Sequence, residues 1–137
     1  MFRKFRELFG TENLLDAAYE TTLTMLEFDL EMYNASRQVL RESDTAELPF
    51  DIKQADIKIN RFEREVRRNV LTHLSISGSA NLVAGLALVS IVVDVERIGD
   101  YTKNIYDLAR DHEQRLVGGP LEDELQQIEA RIADHFP

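Results

Sequence analysis

Carboxylates at helical spacing are the residues of this chain best suited to chemistry. Glu96 and Asp100 stand four residues apart and Asn104 follows at the same step, so a helix would carry all three on one face. Asp56, Asn60 and Glu63 repeat the arrangement at steps of four and three. Like charges at i and i+4 repel, and covering the face makes the repulsion worse, so such a stripe calls for compensation. A hard divalent or trivalent metal supplies it, because carboxylate oxygens are its natural ligands. A cation from a neighbouring helix would serve as well. If the two helices pack antiparallel, Glu96 and Asp100 would converge with Asp56, Asn60 and Glu63 into an oxygen-rich patch able to hold such a metal ion. The same spacing also reads as a solvated acidic face, since charged residues mostly face water.

Other chemistries find little footing. The chain has no cysteine, which removes disulfides, thiolate metal sites and thiol nucleophiles. A di-iron bundle needs Glu-x-x-His pairs, and none of His73, His112 and His135 has a Glu three residues before it. His73 falls at a helix end and reads as structural or capping; the other two histidines take the same reading. Gly118-Gly119-Pro120 follows a helical stretch instead of preceding one, so it reads as a stop signal and not as a phosphate cradle. With no triad, zinc spacing or nucleotide fingerprint, the expectation is a protein that is not an enzyme. A net charge of −9 opposes direct nucleic-acid binding.

The elements that must position these residues are helices. Three prolines and six glycines in 137 residues, with 30% charged, suit long surface helices, and the length suits one domain. Leu14, Ala18, Thr21, Met25, Phe28, Met32, Ala35 and Val39 alternate steps of four and three, predicting a first helix from Thr11 or Asn13 to Ser43 or Asp44. Pro49 suits the first turn of a second helix, whose seam is Ile52, Ala55, Ile59, Phe62, Val66 and Val70 and which breaks over Ser75 to Ser79. The third helix carries Ala84, Leu88, Ile91, Val95, Ile98, Thr102, Ile105 and Ala109, and is expected to run to about Arg115. Gly85 and Gly99 within it weaken its intrinsic propensity and suit close helix approach.

A second apolar stripe on that helix, Leu82, Leu86, Val89 and Val93, leads into Glu96 and Asp100. A short helix over about Leu121 to His135 acts as a brace. The fold class is all-α, an antiparallel bundle of three long helices with a short C-terminal helix. Residues 1–10 form a separate amphipathic segment with Phe2, Phe5, Leu8 and Phe9 among Arg3, Lys4 and Arg6. That segment suits a membrane surface, a partner, or the end of the bundle. Residues 11–137 form the single helical domain.

Asp94-Val95-Glu96-Arg97-Ile98-Gly99-Asp100-Tyr101-Thr102-Lys103-Asn104-Ile105 resembles the PhoU family signature D-L-E-R-I-G-D-H-A-x-N-I. Asp56 to Val66 looks like the family's second-helix pattern, and with the three-helix layout the resemblance covers roughly Leu14 to Arg115. PhoU proteins are helical regulators that link the phosphate transporter to a sensor histidine kinase, restrain uptake and the starvation response, and can hold iron or other metals on E(D)xxxD motifs. By that resemblance Glu96 and Asp100 form the strong motif and Asp56 with Asn60 the weaker, which makes these four the candidate ligands of iron, zinc or another divalent metal. Asn60 stands where an Asp is expected, which removes a charged ligand, and Tyr101 replaces the usual His. Members commonly carry two three-helix repeats, so a homodimer would rebuild the half missing here, with the second stripe of the third helix as its interface.

The resemblance thus implies a cytoplasmic, protein-binding regulator of phosphate uptake and phosphate-starvation signalling. Its partners would be phosphate transporter components and a sensor histidine kinase, with membrane association through those partners. A metal-binding bundle, or a regulator of another transporter or of gene expression, are the alternative functions.

Overall fold

The computed structural model describes residues 11–112 and 114–136, so the segment of residues 1–10 lies outside the described residues. Four α-helices and one short 3-10 turn follow in order, with no strand among the described residues: α1 (Thr11–Glu42), α2 (Ile52–Ser77), α3 (Leu82–Asp111), the turn Gly119–Leu121, and α4 (Glu122–Asp134). The three long helices pack against one another in every pairing, as an all-α bundle requires, and of these three α4 touches chiefly α1.

Local chemistry sets the ends. Asp51 caps α2, its Oδ1 accepting from the backbone N–H of Lys53 at 2.8 Å and of Gln54 at 3.2 Å. Pro49 therefore lies in the connection before the helix, not in its first turn. Ser75 and Ser77 remain helical, their hydroxyls donating to the Leu71 and His73 carbonyls, and the break comes at Gly78, whose φ of +66° favours glycine. Helix α3 ends at Asp111, four residues before the expected Arg115. The chain then clips onto the end of α1, the Leu116 N–H donating to Leu40 O at 2.7 Å and Arg41 Nη1 to Leu116 O at 2.6 Å. Gly119 and Pro120 belong to the 3-10 turn that opens α4, so the glycine-proline run starts the last helix and does not stop the third.

The core is a stack of Ala18, Met25, Met32, Ala55, Ile59, Val66, Val70, Leu88, Val92 and Val95. On α2 the expected seam holds, and His73 joins it as a fully buried residue, the structural side of the structural-or-capping reading. On α1 and α3 the buried seam is rotated from the apolar stripe. Helix α3 buries Gly85, Leu88, Val92, Val95, Gly99, Thr102 and Ala109, while Ala84 and Ile91 are exposed. Helix α1 buries Thr22, Asp29 and Ser36, seven residues apart, beside Met25 and Met32, and leaves Thr21, Phe28 and Ala35 half-covered.

Glycine explains the fit on α3. A Cβ on Gly99 would lie 2.5 Å from Ile59 Cδ1 and 3.0 Å from Asp29 Oδ1, so all three long helices meet there only because this residue has no side chain. Helix α4 is held mainly by charge: Arg41, its side chain almost fully covered, pairs with Glu122 and with Glu129 at 3.1 Å. Its apolar residues Ile128 and Ile132 stay exposed, leaving a groove of about 490 Å³ with Leu26, Ile98, Tyr101 and Ile105 on the opposite wall.

Candidate functional site

The carboxylates singled out by spacing lie where α2 faces α3. Asp56 stands in the second turn of α2 and Asp100 past the middle of α3, and the packing of the two helices brings both to one ammonium group. Lys103 Nζ donates to Asp56 Oδ1 at 2.9 Å and to Asp100 Oδ1 at 3.1 Å. The first contact joins the helices, and the second is an i,i+3 pair within α3. The hydrogen bond to Asp56, and after it the one to Asp100, hold the Lys103 ammonium above the ordinary lysine range against its partial burial.

Glu96 sits one turn back, half-covered, and among the described residues it makes no ion pair. Partial burial, then the neighbouring charges of Asp100, Glu63 and Asp56, raise its pKa above the usual glutamate value. Glu63 is answered within its own helix by Arg67 Nη1 at 2.8 Å. Asn60 takes no part in the cluster through its amide nitrogen, which donates to the Asp56 backbone carbonyl at 2.9 Å. Arg97 pairs with Asp94 at 3.0 Å on the outer face.

The acidic residues of both helices do converge, but as placed they do not fit a metal ion. A divalent cation needs several oxygens pointing at one centre. Here the facing oxygens of Asp56 and Asp100 are taken by an ammonium, and the Asn60 amide is turned onto its own helix. No group of three His, Asp or Glu side chains among the described residues is arranged to hold an ion.

Two residues of this region escape a search for acidic stripes and apolar seams. Lys103 belongs to neither pattern, although its position three residues after Asp100 is the signal for an i,i+3 pair. Asp29 interrupts an apolar seam, although its place midway between Thr22 and Ser36 marks it as a core position. It is fully buried, neither carboxylate oxygen has a hydrogen-bond partner among the described residues, and burial, reinforced by Glu96, pushes its pKa from 3.8 up to about 8.

A different surface lies at the end of the bundle where α2 turns into α3. Leu71, Ile76, Leu82, Val83 and Leu86 are exposed there, Val83 at 84% of its full area. Val89 and Val93, read from the sequence as part of the same outer stripe, instead pack half-buried against the core. No helix among the described residues is long and apolar enough to cross a membrane.

Comparison with curated proteins and with solved structures returns no match. The family model of the PhoU domain matches residues 22–109, a span that takes in most of α1, all of α2 and nearly all of α3, including the carboxylate cluster. The chain therefore belongs to the PhoU domain family.

Proposed function

We propose that this protein is a regulator of phosphate uptake and phosphate-starvation signalling that works by binding other proteins. The observation that carries the reading is the PhoU match over the three long helices, and the surface supports it. Leu71, Ile76, Leu82, Val83 and Leu86 are exposed around the connection of α2 to α3, and contiguous apolar surface of this kind marks protein contacts. One oxygen each of Asp56 and Asp100 is held by Lys103, an ion-paired arrangement that suits joining two helices.

Its partners in this reading are components of a phosphate transporter and a sensor histidine kinase on the cytoplasmic side of the membrane. A second copy of the chain supplies the second three-helix unit. Leu86, 55% exposed, is the clean probe of this surface, because Val89→Glu would strike the core as well. Leu86→Glu is expected to lower the solution mass from dimer to monomer, to leave the helical circular dichroism unchanged, and to abolish co-elution with purified transporter and kinase components. Unaltered mass together with undiminished co-elution would remove the α2–α3 end from the proposal. A wild-type chain that fails to bind either purified partner, and whose deletion leaves a phosphate-starvation reporter unmoved, would remove the phosphate reading itself.

A further inference from the structure

The family's strong acidic motif is present in this chain and the weaker one in part, yet the centre between them is filled by a side chain of the chain itself. Lys103 lies on the same helix face as Glu96 and Asp100, and its four-carbon stem brings the ammonium to the gap between α2 and α3. There it makes the two contacts that a bridging cation would make, one carboxylate from each helix, at 2.9 Å and 3.1 Å. We infer that Lys103 is a built-in counter-ion that takes the place of a divalent metal between Asp56 and Asp100, making the cluster a metal-independent clamp between α2 and α3.

Three observations carry this. The contacts are charge-assisted hydrogen bonds of ordinary length, so the ammonium satisfies both oxygens as they stand. An incoming dication would have to expel a tethered positive charge or sit within a few ångströms of it, and either costs affinity. The position of the family's second-helix carboxylate is held by Asn60, whose amide nitrogen is engaged by the Asp56 backbone carbonyl, so the ligand set is short by one charge on the side that Lys103 faces. The uncharged Asn60 and the positive charge of Lys103 act in the same direction. Both lower the negative charge that a metal would need, and Lys103 still joins the helices. The inference is independent of the regulatory reading, since it concerns what holds the bundle together and not what the bundle binds.

The test uses the full chain, stripped with EDTA, desalted, and offered Mn²⁺ or Zn²⁺ separately. Wild-type protein is expected to carry no stoichiometric metal by elemental analysis and to show the same Tm with EDTA as with either ion. Lys103→Met, which keeps an apolar stem and removes the charge, is expected to bind Mn²⁺ about tenfold more tightly than wild type, or better, and to regain with the ion part of the Tm it loses without it. Lys103→Arg keeps a positive charge in the gap and is expected to stay metal-free, which separates loss of charge from disturbed packing. Stoichiometric metal in the wild type, lost in Asp100→Ala, would overturn the inference. So would a Lys103→Met protein that binds Mn²⁺ no better than wild type. If Lys103→Met does not fold, the wild-type metal content and the EDTA sensitivity of its Tm decide the matter alone.

Discussion

Asp29 and Asp100 are near neighbours with opposite circumstances. Asp29 meets Gly99 across the bundle, and Asp100 is the next residue along. Asp100 lies at the α2–α3 surface, its side chain 47% exposed, and accepts from an ammonium. Asp29 is enclosed by all three long helices with no cation and no hydrogen-bond donor among the described residues, and the least costly way to bury it is to leave its proton on. The contrast teaches that the charge state of a carboxylate in this bundle depends on whether packing grants it a partner, not on its place in a motif.

The largest expected effect tests the buried side of that comparison. A carboxyl whose folded pKa is raised to about 8 from 3.8 binds its proton more tightly in the folded state. Its stabilising protonation is therefore complete below about pH 4 and is lost as the pH rises toward 8. Wild-type unfolding free energy should fall relative to Asp29→Asn by roughly 1.4 kcal/mol per pH unit through that window, on the order of 5 kcal/mol across it, and level off above it. Urea titrations of both proteins at pH 5, 6, 7 and 8 check this, and parallel curves would mean that Asp29 finds a partner in solution.

A smaller effect is expected at the glycine that gives Asp29 room. Gly99→Ala gains helix propensity but drives a methyl group to within 2.5 Å of Ile59 Cδ1, so a net loss of about 1–3 kcal/mol is expected. Ile59→Val removes the opposing methyl, and the double variant should recover part of that loss; simple additivity in the cycle would show that the contact is not shared. The smallest effect lies on the surface side. Glu96 is held above its usual pKa by partial burial and three other carboxylates, so Glu96→Gln should stabilise the chain by a few tenths of a kcal/mol at neutral pH. The gain should shrink as salt rises from 0.05 to 0.5 M, concentrations chosen to span the screening range.

Much of the architecture is legible in residue order alone. The start of α1, the end of α2 at Gly78 and the span of α4 follow from periodicity and breakers, because those signals are local. Periodicity carries α3 too far, since nothing in its own residues forecasts that Leu116 is claimed by the end of α1. Of the residues expected as metal ligands, Glu96, Asp100 and Asp56 lie at one interface while the Asn60 amide nitrogen bonds its own helix, and spacing does not foretell the ammonium between Asp56 and Asp100. Spacing reports which side chains share a face and is silent on which lysine from that face reaches across.

By itself, then, the sequence determined that this chain is all-α, where its long helices run, and that it carries the PhoU signature, all of which depend on residue type and separation along the chain. Only the tertiary structure decided which face of α1 and α3 is the core. Helix α3 is apolar on several sides and α1 hides Thr22, Asp29 and Ser36 in its seam, so hydrophobic periodicity leaves the helix rotation open. Rotation is fixed by where backbones can approach, at Gly85 and Gly99, and that choice places Asp29 inside and Lys103 between the carboxylates. Close packing of three helices is a property of their mutual fit, and no single stretch of sequence contains it.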